Sequence, residues 1–516
     1  MSPPFRAPRV LSFLLCLGIA GVLAACTLGP NFRAPKVPGD SAAYRKNSTA
    51  TLSAGPKDET QHLTSGETLR EDWWALFRST DIDTTVRAAI AGNLTLVQAR
   101  ATLQQAQQAE VAAGGALYPQ LNVAGGADRQ RLDFATLGIP PGPGFPRFRE
   151  FNVFTVGPSV SYSLDIWGGT RRLIEERQAQ ADYQAYQMAA AYLSLTGNAV
   201  TEAVTIAAIR AQLAAAADII GNDQQNLDLV KRELQAGEST EIDVESAQSQ
   251  LENDRTLVPP LRQQLSAARN ALSLLAGKSP GEWTPPDFDL DRIALPADLP
   301  VTLPAELVHR RPDILAAEAQ VKAANAAVGV ATAALFPNIT LSAAYEQMST
   351  SAGNWFAAYN HAWNLAANVA APILHGGELT AQKKGAIAAY QATLAGYEQT
   401  VLQAFTQVAT VLDALQHDGE LVDAQHRALD AAQRSLKLTR TSFAGGNVGI
   451  LFVLDAQRRY QQARLGYVRA VQQRYLDTVQ LFAVMGGGWR QWQQTQTPRL
   501  PPPNDSEQIL HTLFSP

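Results

Sequence analysis

The chain carries one set of landmarks twice, in the same order and roughly 210 residues apart, and this limits its fold more than any other feature. Ala116-Leu117-Tyr118-Pro119-Gln120-Leu121 matches Ala334-Leu335-Phe336-Pro337-Asn338-Ile339. Ile166-Trp167-Gly168-Gly169 matches Leu374-His375-Gly376-Gly377. Gly237, followed by Ser246-Ala247-Gln248, matches Gly446, followed by Asp455-Ala456-Gln457, and Leu272 to Gly277 matches Leu481 to Gly486. Chance similarity between Ala-rich helices explains one such match, not four in order. The chain therefore reads as two copies of one module, residues 72–277 and 309–489. Between them lies a Pro-rich linker, 278–308, with Pro280, Pro285, Pro286, Pro296, Pro300 and Pro304. Residues 490–516 form a C-terminal tail.

Each copy changes periodicity in the same sequence. A helix over 81–115, and again over 313–334, ends at Pro119 or Pro337. Alternation with period two follows. Val160, Tyr162, Leu164 and Ile166 face away from Ser159, Ser161, Ser163 and Asp165. Ile339, Leu341, Ala343 and Tyr345 oppose Asn338, Thr340, Ser342 and Glu346, and Trp363, Leu365, Ala367, Val369, Ala371 and Ile373 obey the same rule. These predict two strands per copy of roughly ten residues, the length a tilted strand needs to cross a bilayer. Gly168-Gly169 and Gly376-Gly377 then switch the chain to Pro-free stretches over 170–236 and 378–445, each on the order of 100 Å as helix. Ile387, Tyr390, Leu394, Tyr397, Val401, Phe405, Val408, Leu412 and Leu415 form a coiled-coil seam; Tyr183, Tyr186, Ala190, Leu193, Gly197, Val200 and Val204 form a weaker one. Turns at Gly237 and Gly446 reverse the chain into returning helices over 241–277 and 450–486, the first kinked or broken by Pro259-Pro260.

At the N-terminus, Arg6 and Arg9 precede an apolar run, Val10 to Ala25, too short to span a bilayer comfortably. It reads as a signal peptide, 1–25. Leu23-Ala24-Ala25-Cys26 is similar to a bacterial lipobox, which implies a covalent lipid on Cys26. Cys16 lies in the removed segment, so the mature chain has no second thiol. This excludes disulfides, zinc-thiolate sites and Cys nucleophiles. Thr27, rather than Asp, after the Cys favours the outer membrane. Residues 26–71 read as a lipidated, extended tether. The formal charge of −5, without a Lys/Arg block, argues against nucleic acid.

Four strands per chain cannot close a barrel, and open sheet edges are not tolerated in lipid, so several chains must share one. The polar strand faces suit a water-filled lumen. The helices are far longer than one membrane requires, and fit crossing an aqueous compartment behind it. The fold class is thus α+β membrane protein. No nucleophile, phosphate-loop or dinucleotide motif occurs. His417 and His426 stand nine apart, not at metal-pair spacing, and Arg311-Pro312-Asp313 reads as ordinary helix initiation. No enzyme, metal or other cofactor is expected.

The sequence resembles the TolC-like outer-membrane factors, in the lipoprotein subgroup called the NodT family. The resemblance rests on Cys26-Thr27-Leu28-Gly29-Pro30-Asn31-Phe32, Asp72-Trp73-Trp74, Arg310-Arg311-Pro312-Asp313-Ile314, Gly446 with Leu454-Asp455-Ala456-Gln457, and Gly486-Gly487-Gly488-Trp489. It implies a homotrimer whose twelve-stranded outer-membrane β-barrel continues into a periplasmic α-helical barrel. A periplasmic adaptor and an inner-membrane pump, of RND type, are the implied partners, with drugs or other toxic compounds as cargo. It also places adaptor contacts at the helical tips: Gly237, Glu238 and Ser239 in the first copy, Gly446, Asn447 and Val448 in the second. Beside them Asp228, Lys231, Arg232, Glu233 and Arg440 are candidates for aperture ion pairs or a cation-binding acidic ring. The alternatives are a periplasmic adaptor, which would show one hairpin flanked by soluble β modules, and a structural coiled-coil lipoprotein; detergent resistance of the purified oligomer, mixed α/β circular dichroism and sedimentation with the outer membrane separate them from a duct.

Overall fold

The computed structural model of the chain describes residues 27–38, 44, 60–66, 69–134, 138, 142, 148–354, 357 and 360–496. Both halves run through the same element order. In the first, α1 (Thr80–Gly92) and α2 (Leu94–Gly115) lead to strands β2 (Gln120–Asp133) and β3 (Phe148–Leu164). The 68-residue α3 (Gly169–Ala236) descends, and α4 (Glu241–Arg255) and α5 (Val258–Leu275) return. The joint holds β4 (Asp298–Val301) and the single turn α6 (Pro304–Leu307). In the second half α7 (Pro312–Ala333), β5 (Asn338–Ser349), β6 (His361–Ala370), the 67-residue α8 (Glu378–Ala444) and α9 (Ile450–Val484) repeat the path, and α10 (Trp489–Gln496) ends it. β2, β3, β5 and β6 form one antiparallel sheet in that order.

Local chemistry sets the boundaries. At the strand-to-helix switch the Asp165 carboxylate accepts from the backbone N–H of Thr170 (2.9 Å) and of Arg171 (3.0 Å), capping α3 after Gly168 turns with φ +75°. The helix expected over 81–115 is two helices. Asn93 breaks it, because its Oδ1 caps α2 through the Leu96 N–H (3.1 Å) while its Nδ2 donates to Leu275 O of the returning helix (2.9 Å). The helix expected over 241–277 divides at Thr256 and Leu257, immediately before Pro259-Pro260.

The largest core lies midway along the molecule, where α1, α3, α9 and α10 meet the linker. Trp73 packs on Phe482 (ring centroids 5.4 Å apart) and Tyr192 stacks on Trp492 (4.2 Å). Burying each such ring contributes roughly 1.5–3 kcal/mol. The linker is clamped into this core, with Tyr475 Oη donating to Ile293 O (2.7 Å). The expected tether is also bound in part. β1 (His62–Ser65) pairs in parallel with β4, and the buried Gln61 side chain donates to Pro296 O (3.0 Å) and accepts from Arg474 Nε (3.1 Å). Polar side chains that find specific acceptors in the joint order a segment that lacks periodicity of its own. Trp489–Gln496 likewise extends the folded region beyond residue 489 through Trp492. The helix α3 holds an 18-residue stretch of mean hydropathy 1.6, apolar enough for a membrane, but 56% of that stretch is buried against its neighbours. Its apolarity serves helix packing within the chain.

Candidate functional site: sheet, anchoring strap and helical tips

The sheet aligns apolar side chains in rows across all four strands. Leu121, Val160, Ala343 and Leu365 stand opposite one another in the register, as do Leu164, Ile339 and Val369. The first of these rows is flanked by Asn122, Ser159, Ala344 and Asn364 on one side and by Gln120, Ser161, Ser342 and Ala366 on the other. One face is therefore apolar and the other mainly polar or small. Leu121, Val123, Trp363, Leu365 and Val369 are exposed in the single chain. β2 and β3 run to 14 and 17 residues, longer than the ten expected. The extra length carries Arg129 paired with Glu150 (3.1 Å) and Arg131 over the Phe148 ring, so it belongs to water beyond the apolar band. Trp167 and Phe336 meet at the opposite edge of that band (4.9 Å), the place of an interfacial aromatic belt.

A strap, residues 27–31, lies across this same edge. Leu28 N–H donates to Trp167 O (3.0 Å), and Asn325 Nδ2 donates to Pro30 O (2.9 Å). The buried Arg172 guanidinium donates to Leu28 O (3.1 Å), Asn31 Oδ1 (2.7 Å) and Gly29 O (3.4 Å), and pairs with Glu175 (2.6 Å). The approach is at backbone level. A Cβ on Gly29 would lie 2.5 Å from Gly329 Cα, and one on Gly168 would lie 2.8 Å from Thr27 Cα. Cys26 itself lies outside the described residues, but its neighbour Thr27 sits at the strand-to-helix switch. Sequence reasoning passed over Arg172. The available signal was an Arg seven residues before the buried Ala179, on the face that α3 turns inward.

At the far end the two hairpin turns converge. Gly237 closes α3 with φ +78°, and Glu238 N–H reaches back to Glu233 O (2.8 Å), a Schellman-type stop. Thr240 and Asp243 then form a reciprocal capping box that starts α4. Gly446 has φ +72°, and Asn447 N–H bonds to Ser442 O (2.9 Å). Glu238, Ser239, Gly446, Asn447, Val448, Arg232, Glu233 and Arg440 line one cleft between the hairpins; Gly237 and Asp228 stand outside its lining. Within the chain these charges find neutral partners. Arg440 donates to Asn222 Oδ1 (3.2 Å) and Gln457 Oε1 (3.3 Å), Arg232 Nε to the Asp228 backbone O (3.2 Å), and Asp228 accepts from Gln224 (3.0 Å). Burial, then the charges of Glu238 and Asp243, hold the Glu233 carboxyl above its ordinary range. Among the described residues no ion pair joins Asp228, Lys231, Arg232, Glu233 or Arg440 within one chain, and no group of three His, Cys, Asp or Glu is arranged to hold a metal. Within one chain the turn and cap hydrogen bonds order this end.

A bipartite sheet-and-hairpin molecule with one lipid-compatible sheet face defines a class of membrane duct, and comparison with known proteins gives its family. The family model described as "Outer membrane efflux protein" matches residues 85–278 and 303–487. The pyoverdine export outer membrane protein OpmQ of Pseudomonas aeruginosa is 30% identical over 469 residues, 91% of this chain and 96% of that one. The cation efflux system protein CusC of Escherichia coli O6:H1 is 29% identical, covering 94% and 99%. The solved structure of the outer-membrane channel OprN superposes with a TM-score of 0.80 at 26% identity, covering 90% of this chain and all of that one. The chain belongs to the outer membrane efflux protein family. It is an outer-membrane exit duct of an efflux system.

Proposed function

We propose that three copies of this chain form a passive duct, a twelve-stranded β-barrel continuous with a tube of the long helices. The observation that supports this most is the open four-stranded sheet. β2 and β6 each leave one edge unpaired next to exposed Leu121, Val123, Trp363 and Leu365. An unpaired edge in hydrocarbon costs several kcal/mol per polar group, and pairing β6 of one copy with β2 of the next removes it. The apolar rows then face lipid and the Ser, Asn and Thr rows face water. A covalent lipid on Cys26 anchors the strap at the periplasmic edge of the barrel. The converging turns, with Glu238, Ser239, Asn447 and Val448 in one cleft, dock a periplasmic adaptor that connects to an inner-membrane pump of RND type. The duct catalyses no bond chemistry and takes no cofactor. Pyoverdine, cations and toluene appear in the names of relatives, which supports cargo selection by the pump rather than by the duct.

The test is the mass of the detergent-purified chain, combined with cysteines placed along β2 (Leu121, Val123) and β6 (Trp363, Leu365). Trimer mass with disulfide-linked dimers and trimers between β2 and β6 variants is expected. A monomer, or a trimer in which no pair crosslinks, overturns the shared barrel.

A further inference from the structure

Two buried aspartates interrupt apolar helix seams and face each other above the tips. On α3, Ile209, Ala216, Asp223 and Val230 recur every seven residues, and all are buried. On the returning helices Ala247, Asp254, Leu261 and Ala268 do the same. Asp223 lies 14 residues before Gly237, roughly 20 Å above the turn. It is 1% exposed and Asp254 is 4% exposed. A carboxylate at a seam position costs stability unless its charge is answered.

Among the described residues no Lys or Arg forms an ion pair with either carboxylate. Asp223 Oδ1 accepts from Gln457 Nε2 (2.5 Å), and Asp254 Oδ2 accepts from Gln461 (2.9 Å) and Gln250 (2.7 Å). Asp223 Oδ2 has no donor. The Asp254 carboxyl is its neighbour: Gln457 and Gln461, which hold the two acids, stand one turn apart on α9, and Asp254 raises the pKa of the Asp223 carboxyl. Two carboxyl groups side by side in a dry seam cannot both ionise, and one proton between them answers both. The charge of Arg440 on α8 pulls Asp223 down, and its guanidinium donates to Asn222 and Gln457. Charges on adjoining turns are paired with each other: Arg464 with Asp218, Arg255 with Glu252, Arg458 and Arg459 with Asp455.

We propose that Asp223 and Asp254 form a proton-binding site that ties the two helical hairpins together above their tips, one proton shared between the carboxyl groups in neutral medium and released in alkaline medium. The site joins both hairpins because α3 and α4 supply the acids while α9, through Gln457 and Gln461, supplies the donors. Burial first, then the neighbouring Asp254 carboxyl, push Asp223 up to about 8 against the smaller opposing pull of Gln461 and Arg440. Unfolded, the same group titrates near 3.8. The native state thus binds the extra proton between these values, so the stability gained from the site is full below pH 4 and is lost as pH rises to about 8. The geometry recurs higher in the second hairpin. There Asp418 of α8 is pushed up to about 8 by burial and then by Asp477 of α9, against the smaller pull of Arg474, and its Oδ2 has no donor.

The test uses the full chain in detergent. Infrared difference spectra of wild type between pH 7 and pH 9.5 should show loss of a protonated-carboxyl C=O band. Asp223→Asn should remove part of that band and Asp418→Asn the rest. Asn keeps a polar, isosteric group on the seam, so its melting temperature should exceed that of wild type increasingly from pH 5 to pH 9. A constant offset over that range, or a band untouched by Asp223→Asn and by Asp254→Asn, overturns the proposal. A rise in melting temperature with calcium chloride that Asp223→Asn abolishes assigns the site to a divalent cation and overturns it as well.

Discussion

Replacing Arg172 by Ala should free the N-terminal strap and little else. The guanidinium makes three hydrogen bonds into residues 28–31, and its stem covers Gly329, where an added Cβ would lie 2.7 Å from Arg172 Cγ. A hydrogen bond to a charged donor is worth about 1.5–3 kcal/mol, and the geometry at 3.4 Å to Gly29 O makes that one the weakest. Two such bonds amount to about 3 kcal/mol, or on the order of a hundredfold in the ratio of docked to open strap. Leu28 N–H to Trp167 O and Asn325 to Pro30 O remain, so docking weakens without vanishing. Hydrogen exchange followed by mass spectrometry reads this directly. Amides in residues 27–38 should exchange about a hundredfold faster, while peptides from α8 and α9 keep their protection. Arg172→Lys, a point charge in place of a fork, should fall between the two. Gly329→Ala should reproduce the effect by displacing the Arg172 stem. Unchanged exchange over residues 27–38 in both Arg172→Ala and Gly329→Ala would refute the clamp. Loss of protection throughout α3 would show that Arg172 holds the helix rather than the strap.

Two further substitutions probe the frame. Gly157→Val should split the central strands, because a Cβ there overlaps the Tyr345 carbonyl where β3 passes β5; oligomer yield in the outer-membrane fraction should collapse, whereas Gly142→Val, with open space around it, should be silent. Asn93→Ala removes the α2 cap and leaves Leu275 O without its donor, and should lower stability by about 2–3 kcal/mol, seen as a lower urea midpoint with an unchanged slope.

What could be read from the sequence was what local chemistry repeats. Positive-φ glycines at 168, 237, 377 and 446 mark the ends of the long helices because only Gly takes those angles freely, and the alternation in β5 and β6 survives into the sheet register. The break at Asn93 was hidden because half its cause is Leu275, 182 residues away. The length of β2 was hidden because Gly125, Gly126 and the charged Arg129 and Arg131 blur the period-two signal while backbone pairing to β3 continues regardless. The strap was hidden for the same reason as Gln61: polar side chains bonded to distant carbonyls have no period at all. Asp223, Asp254, Asp418 and Asp477 are a different case. Their places were legible, seven residues from buried neighbours (Ala216 and Val230, Ala247 and Leu261, Val411, Ala470 and Val484), and a charged residue on a seam is visible in any sequence. What periodicity cannot say is which two seams turn toward each other. Only the packing of α3 on α4, and of α8 on α9, makes two unfavourable positions face and share what neither can hold alone. The charges first noticed, beside the turns, reach solvent and settle for amides and backbone; those that the seams bury are the ones the fold must neutralise.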